Sequence, residues 1–252
     1  MPLTLETVLV FLLLFARFSS FMAFAPFFSL PGIPMWLKFA LATVISVLFY
    51  PVVEGFMVPL DFSFVFLLIK EVLAGFLMAL VSFLVFNVLE MAGSFMDLEM
   101  GFALGSYFDP IAGAQVTIMG RIFYVFALLL LMAFNGHHLM IYALADSFQF
   151  LPLGGFSVGN DLIVRLIALF VGMVGVALRL AAPVLAVLLV TDVSLGLISR
   201  TVPQLNVFMM GFMIKSGLGP LIVILVLPLI ANIAGNLFTS LGTIIEGIIG
   251  GT

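Results

Sequence analysis

The segment Ala92–Arg121 constrains this chain more than any other. It holds five glycines, three carboxylates (Asp97, Glu99 and Asp109), an Asp-Pro step and a Gln-Val-Thr. The runs on either side are apolar enough for lipid. A bilayer core offers a backbone no hydrogen bonds, so irregular chain at that depth has to be buried in protein or line a cavity. The expectation is irregular backbone over this segment, placed on a protein-lined pathway or a tight protein interface.

The remainder sets the environment. Of 252 residues, 65% are hydrophobic and 8% charged, with a mean hydropathy of +1.42. Soluble domains carry about 25% charged residues, so this is a membrane or membrane-complex protein. A net charge of −4 provides no basic surface for nucleic acid. There is no cysteine, hence no disulfide and no thiolate metal site. The 29 Phe and 15 Met read first as lipid-facing and helix-packing bulk. A sharper reading gives some of them to a soft seal, because thioether side chains adapt their shape. The start, Met1–Glu6, has no basic region and Arg17 interrupts the first apolar run, so the first helix is expected to be retained rather than cleaved.

About 20 apolar residues span a hydrocarbon core. Six helical regions are predicted: Leu5–Phe28, Trp36–Val53, Phe62–Glu90, Ile122–Phe150, Leu162–Leu197 and Val207–Leu241. Pro31-Gly32-Ile33-Pro34 and the stretch from Pro51 to Pro59 separate the first three. Pro183, Pro220 and Pro228 interrupt the last two, and proline inside a helix removes a backbone bond. The fold class is thus an all-α membrane-complex protein of long, broken helices and helical hairpins. Gly101/Gly105 and Gly247/Gly251 form GxxxG pairs, and Gly172 and Gly175 nearly stack; small residues of this kind let helices approach closely.

The eight Lys and Arg residues form no loop cluster, so the positive-inside rule gives no orientation. Arg17, Lys70, Glu71 and Arg179 lie in apolar runs, where charges are costly and need partners. Lys70 and Glu71 are adjacent and cannot face each other on a helix, so each needs a partner from another helix or another chain. Asp161 and Arg165 have the favourable i, i+4 order. Structural ion pairing is the leading reading for these charges, ahead of proton coupling.

No catalytic constellation, metal site or cofactor motif is found. Asn135-Gly136-His137-His138 is the most conspicuous other polar cluster, but adjacent histidines make a poor chelate and HExxH is absent. Ser106 lies outside any GxSxG elbow. No nucleotide fingerprint occurs. Asp97, Glu99 and Asp109 resemble catalytic carboxylates but have no chemical partner.

Assembled in order, these motifs resemble the FliR (FliR/SctT-like) family of type III secretion export-gate subunits, over nearly the full length. The elements that carry the resemblance are Leu14-Phe15-Ala16-Arg17, Ala25-Pro26-Phe27-Phe28-Ser29, Lys70-Glu71-Val72-Leu73-Ala74-Gly75, Met91-Ala92-Gly93, Met100-Gly101-Phe102 and Asp109-Pro110. They continue with Asn135-Gly136-His137-His138, Ser147-Phe148, Pro152-Leu153-Gly154 and Pro203-Gln204-Leu205-Asn206-Val207-Phe208. Glu99 stands where the family often has Gln, and Met213 where it often has Pro.

The resemblance implies a non-enzymatic subunit of a flagellar export gate in the bacterial inner membrane at the basal body, partly raised toward the periplasm. Residues 1–158 would be a FliP-like helical part and residues 159–252 a FliQ-like helical hairpin. Partners would be FliP and FliQ in a helical complex, FlhB and FlhA, and unfolded polypeptides in transit. Gly105, Tyr107, Phe108, Asp109, Pro110, Ile111, Gly113 and Gln115 would belong to a channel plug, with Phe108 and Ile111 as the main obstacles. Arg200, Pro203, Gln204 and Asn206 would form a hairpin tip facing FlhB. A stand-alone secondary transporter for a small solute is the alternative; broken helices favour it, and the lack of an inverted repeat opposes it. An intramembrane enzyme is a more distant one.

Overall fold

The computed structural model describes residues 5–30, 32–53, 62–102, 117–157, 159–204 and 206–250. Within these the protein is all-α. The helices are α1 (Leu5–Phe24), α2 (Met35–Phe49), α3 (Ser63–Met100), α4 (Ile118–Ala133), α5 (Gly136–Phe150), α6 (Asn160–Thr201), α7 (Val207–Thr239) and α8 (Leu241–Ile249), with a 3-10 turn at Tyr50–Val53. Among the described residues, five helices are long and apolar enough to cross a membrane, and a sixth span exists if α4 and α5 are taken together.

Three boundaries differ from the sequence expectation. α3 runs to Met100 rather than Glu90, so residues 92–100 of the supposedly irregular segment are helical, as are residues 118–121 at its other end. Gly93 does not break the helix. It is a packing position, where a Cβ would lie 2.7 Å from the Met119 carbonyl oxygen. The region expected as Ile122–Phe150 is two helices, parted where Asn135 adopts a left-handed φ of 54°. α6 continues through Pro183, and the last region stops at Thr239 before the separate, short α8.

The chain forms two compact units. One comprises residues 1–85, 135–170 and 238–252. Its core gathers Leu13, Leu14, Phe18 and Phe21 of α1 with Met78 of α3, Leu144 of α5 and Ile245 of α8. α1 lies along α2, where Phe18 and Phe49 rings stand 5.7 Å apart, and α8 packs on α5. The other unit comprises residues 86–134 and 171–237. Its core joins Leu89 and Met96 of α3, Phe123 and Leu131 of α4, and a stripe of α6 made of Met173, Ala177, Leu180, Val184 and Leu188. Those α6 spacings follow the 3.6-residue helical repeat, which is why one face alone is buried.

Candidate gate and contact sites

In the second unit, α3 and α4 hold the two ends of residues 103–116. Gly101 terminates α3 with φ of 84°, and its N–H donates to the Asp97 carbonyl at 3.1 Å. The left-handed conformation suits glycine, which lacks a Cβ. The Asp97 carboxylate reaches the other end, accepting the N–H groups of Met119 at 2.9 Å and Gly120 at 3.1 Å. These are orphan donors of the first turn of α4, and a negative charge at a helix N-terminus is favourable. Thr117, the N-cap residue, makes no side-chain cap bond of its own. Asp97 is fully buried, so it caps α4 from the neighbouring helix. Gly120 is equally hemmed in: a Cβ there would crowd Thr117 and Ser94. The candidate plug residues Gly105, Tyr107, Phe108, Asp109, Pro110, Ile111, Gly113 and Gln115 lie outside the described residues.

The same unit contains a charge cluster that the sequence reading missed. Lys215 of α7 contacts Asp192 of α6 at 3.0 Å and Glu99 of α3 at 4.0 Å. A pocket of about 240 Å³ opens beside it, lined by Met100, Gly101, Leu195, Phe208 and Phe212 among others. A signal existed. Asp192 stands nine residues before the end of α6, and Lys215 eight after the start of α7, so a tight hairpin puts them level.

In the first unit, Arg17 and Glu71 form an ion pair at 2.5 Å, with both side chains at 0% exposure. Arg17 also donates to the Leu151 carbonyl at 2.9 Å and to Ser147 Oγ at 3.2 Å, and its guanidinium lies 4.3 Å from the Phe148 ring centroid. Lys70 and Glu71 then share one target. Glu71 accepts the Gly154 N–H at 2.7 Å, while Lys70 Nζ donates to the Gly154 carbonyl at 3.2 Å. Gly154 has φ of 71°, a left-handed conformation that suits glycine. α1, α3, α5 and the 151–154 turn are thereby tied together. Gly75 lies against α1, where a Cβ would overlap Ser20 and the Arg17 carbonyl.

Other singled-out residues stand apart from these clusters. Arg165 donates to the Gly247 carbonyl at 3.1 Å. The His137 and His138 ring centroids are 4.0 Å apart, and His137 lies 5.9 Å from Phe27. At the α6–α7 turn, Arg200, Pro203, Gln204 and Asn206 are all exposed. Asn206 Oδ1 accepts the Met209 N–H at 3.2 Å, which makes it the N-cap of α7. Arg179 is exposed on α6.

A family profile described as bacterial export proteins, family 1, matches residues 8–241. The flagellar biosynthetic protein FliR of Bacillus subtilis (strain 168) is 31% identical over 91% of this chain and 90% of its own length. FliR of Escherichia coli (strain K12) is 30% identical over 92% and 90%. The surface presentation of antigens protein SpaR of Shigella flexneri is 30% identical over 60% of this chain and 58% of its own length.

Proposed function

The chain belongs to the bacterial export proteins of family 1, and from that membership we propose that it is a membrane subunit of the flagellar type III protein export apparatus. The observation that carries the reading is full-length similarity to flagellar FliR proteins, against a shorter match to SpaR. The family sets aside the stand-alone small-solute transporter. The role is conduit-forming rather than enzymatic. FliP and FliQ are its assembly partners, FlhB and FlhA its further contacts, and the complex stands in the inner membrane, raised toward the periplasm. In this reading residues 1–158 are the FliP-like part and residues 159–252 the FliQ-like hairpin, whose tip at Arg200, Pro203, Gln204 and Asn206 meets FlhB.

Residues around Gly105–Gln115 act as the plug, with Phe108 and Ile111 as steric obstacles. Two features support this. The segment is glycine-rich and flanked by lipid-grade helices, and Asp97 ties the helix ends on either side of it together. Deleting Gly105–Gln115 tests it: the purified complex in a planar bilayer should pass ions where the unaltered complex stays closed. Equal conductance overturns the plug. A chain that purifies alone from its native membranes overturns the assembly reading.

A further inference from the structure

Lys215 Nζ lies 3.0 Å from Asp192 and 4.0 Å from Glu99, and the three side chains are between 17% and 41% exposed. Ion pairs this exposed add little to stability. Their placement carries more meaning. Asp192 and Lys215 belong to the two arms of the α6–α7 hairpin, whereas Glu99 stands two residues before Gly101, which terminates α3. One turn further along the same face of α7, Gly219 meets the last residue of α3: a Cβ there would lie 2.6 Å from Met100 Cε. Toward the hairpin tip, a pocket of about 240 Å³ lies between Met100 and Gly101 on one side and Leu195, Phe208 and Phe212 on the other.

We propose that Lys215 is a positioning residue of the gate: by neutralising Glu99 and Asp192 together, it holds the end of α3 against the α6–α7 hairpin. Its consequence for closure rests on the plug reading of Gly105–Gln115.

Two carboxylates within 4.0 Å of one ammonium are close enough to repel each other. Lys215 offsets that repulsion and draws α3 toward both arms of the hairpin. Without it, like charges face each other across the Glu99–Asp192 contact, and on the tip side the pocket leaves no close packing to resist them. Met100 against Gly219 sets how near α3 can come, while the charges decide whether its end stays there. Glu99 shares a helix with Asp97, whose carboxylate accepts the Met119 and Gly120 N–H groups. A shift at Glu99 therefore reaches both stems that flank residues 103–116.

The test uses the complex extracted from native membranes in mild detergent through a tag on this chain. The chain has no cysteine of its own, so Leu98→Cys and Met209→Cys, both at exposed positions, give it two thiols for spin labels on α3 and α7. Lys215→Gln should lengthen and broaden the distance between the labels and raise resting conductance in a planar bilayer roughly fivefold, at little change in melting temperature or partner recovery. Lys215→Arg keeps the charge and should match the unaltered complex. Adding Glu99→Gln to Lys215→Gln removes the repulsion and should restore both distance and conductance, a rescue that simple loss of a structural lysine would not show. An unmoved distance in Lys215→Gln, or a double variant no better than the single one, overturns the proposal. If the distance moves as expected but deleting Gly105–Gln115 passes no ions, the plug reading falls and Lys215 still positions α3. If the deletion leaks while the distance stays fixed, the plug stands and the role of Lys215 falls.

Discussion

The Asp97 carboxylate holds the amide of Gly120, 23 residues further along the chain, at 3.1 Å. With Met119 as its second donor and Gly101 bonded to its carbonyl, this one residue joins the stem that leads into residues 103–116 to the stem that leads out.

Replacing Asp97 should therefore loosen the base of that segment. Asp97→Ala leaves two buried N–H groups without an acceptor, at about 1–3 kcal/mol each. A stability loss of roughly 2–6 kcal/mol is expected on that basis, together with a higher resting conductance of the assembled complex. Asp97→Asn keeps one acceptor oxygen and should lose about half as much. Melting of the solubilised protein and planar-bilayer recording check the two effects separately.

The Arg17–Glu71 pair should be costly to break and cheaper to remove whole. Either Arg17→Met or Glu71→Leu alone strands a buried charge, at about 3–5 kcal/mol. The double variant strands none, although the Gly154 N–H and the Leu151 carbonyl lose partners. It should melt above both single variants, and a double variant that loses the full sum of the two would contradict the pairing.

Glycines divide into contact positions and open ones. Gly93→Ala drives a Cβ into the Met119 carbonyl, so α3 and α4 have to part. A helix interior otherwise favours Ala over Gly by about 1 kcal/mol. Gly217→Ala, where a Cβ meets nothing within 4 Å, should accordingly leave the isolated subunit unharmed or slightly more stable. Comparative melting of the two variants in detergent tests the distinction.

At the α6–α7 turn, capping and partner contact are separable. Asn206→Ala removes an N-cap and should cost about 1 kcal/mol of stability. Gln204→Ala, on an exposed residue with no described bond, should fall within about 0.5 kcal/mol. Secretion and FlhB crosslinking lost on Gln204→Ala at unchanged melting temperature would come from a contact; both retained would remove Gln204 from the contact surface.

Much of this architecture is legible in the chain. Hydropathy fixes the helical class, because only closed hydrogen bonding survives in lipid. Pro34 and Pro51 mark real helix ends, whereas Pro183, Pro220 and Pro228 lie inside continuous helices. The order of short motifs carries the family. Sequence spacing misplaced the end of α3, since Gly93 and Asp97 look like breakers until their partners on α4 are seen. Asp97 reads in the sequence as an acid without a partner, because its partners are backbone amides, which no side-chain pattern advertises.

Pairing across helices is what the sequence by itself left open. Lys70 and Glu71 visibly needed partners, but only the tertiary structure gives both to Gly154 and gives Arg17 to Glu71. It also separates Gly75 and Gly93, pressed against neighbouring backbone, from Gly172 and Gly175, which face open space. The physical reason is the same in each case. Apolar periodicity is a local property of one helix, whereas a buried charge or a missing Cβ acquires meaning only from what a different helix places beside it.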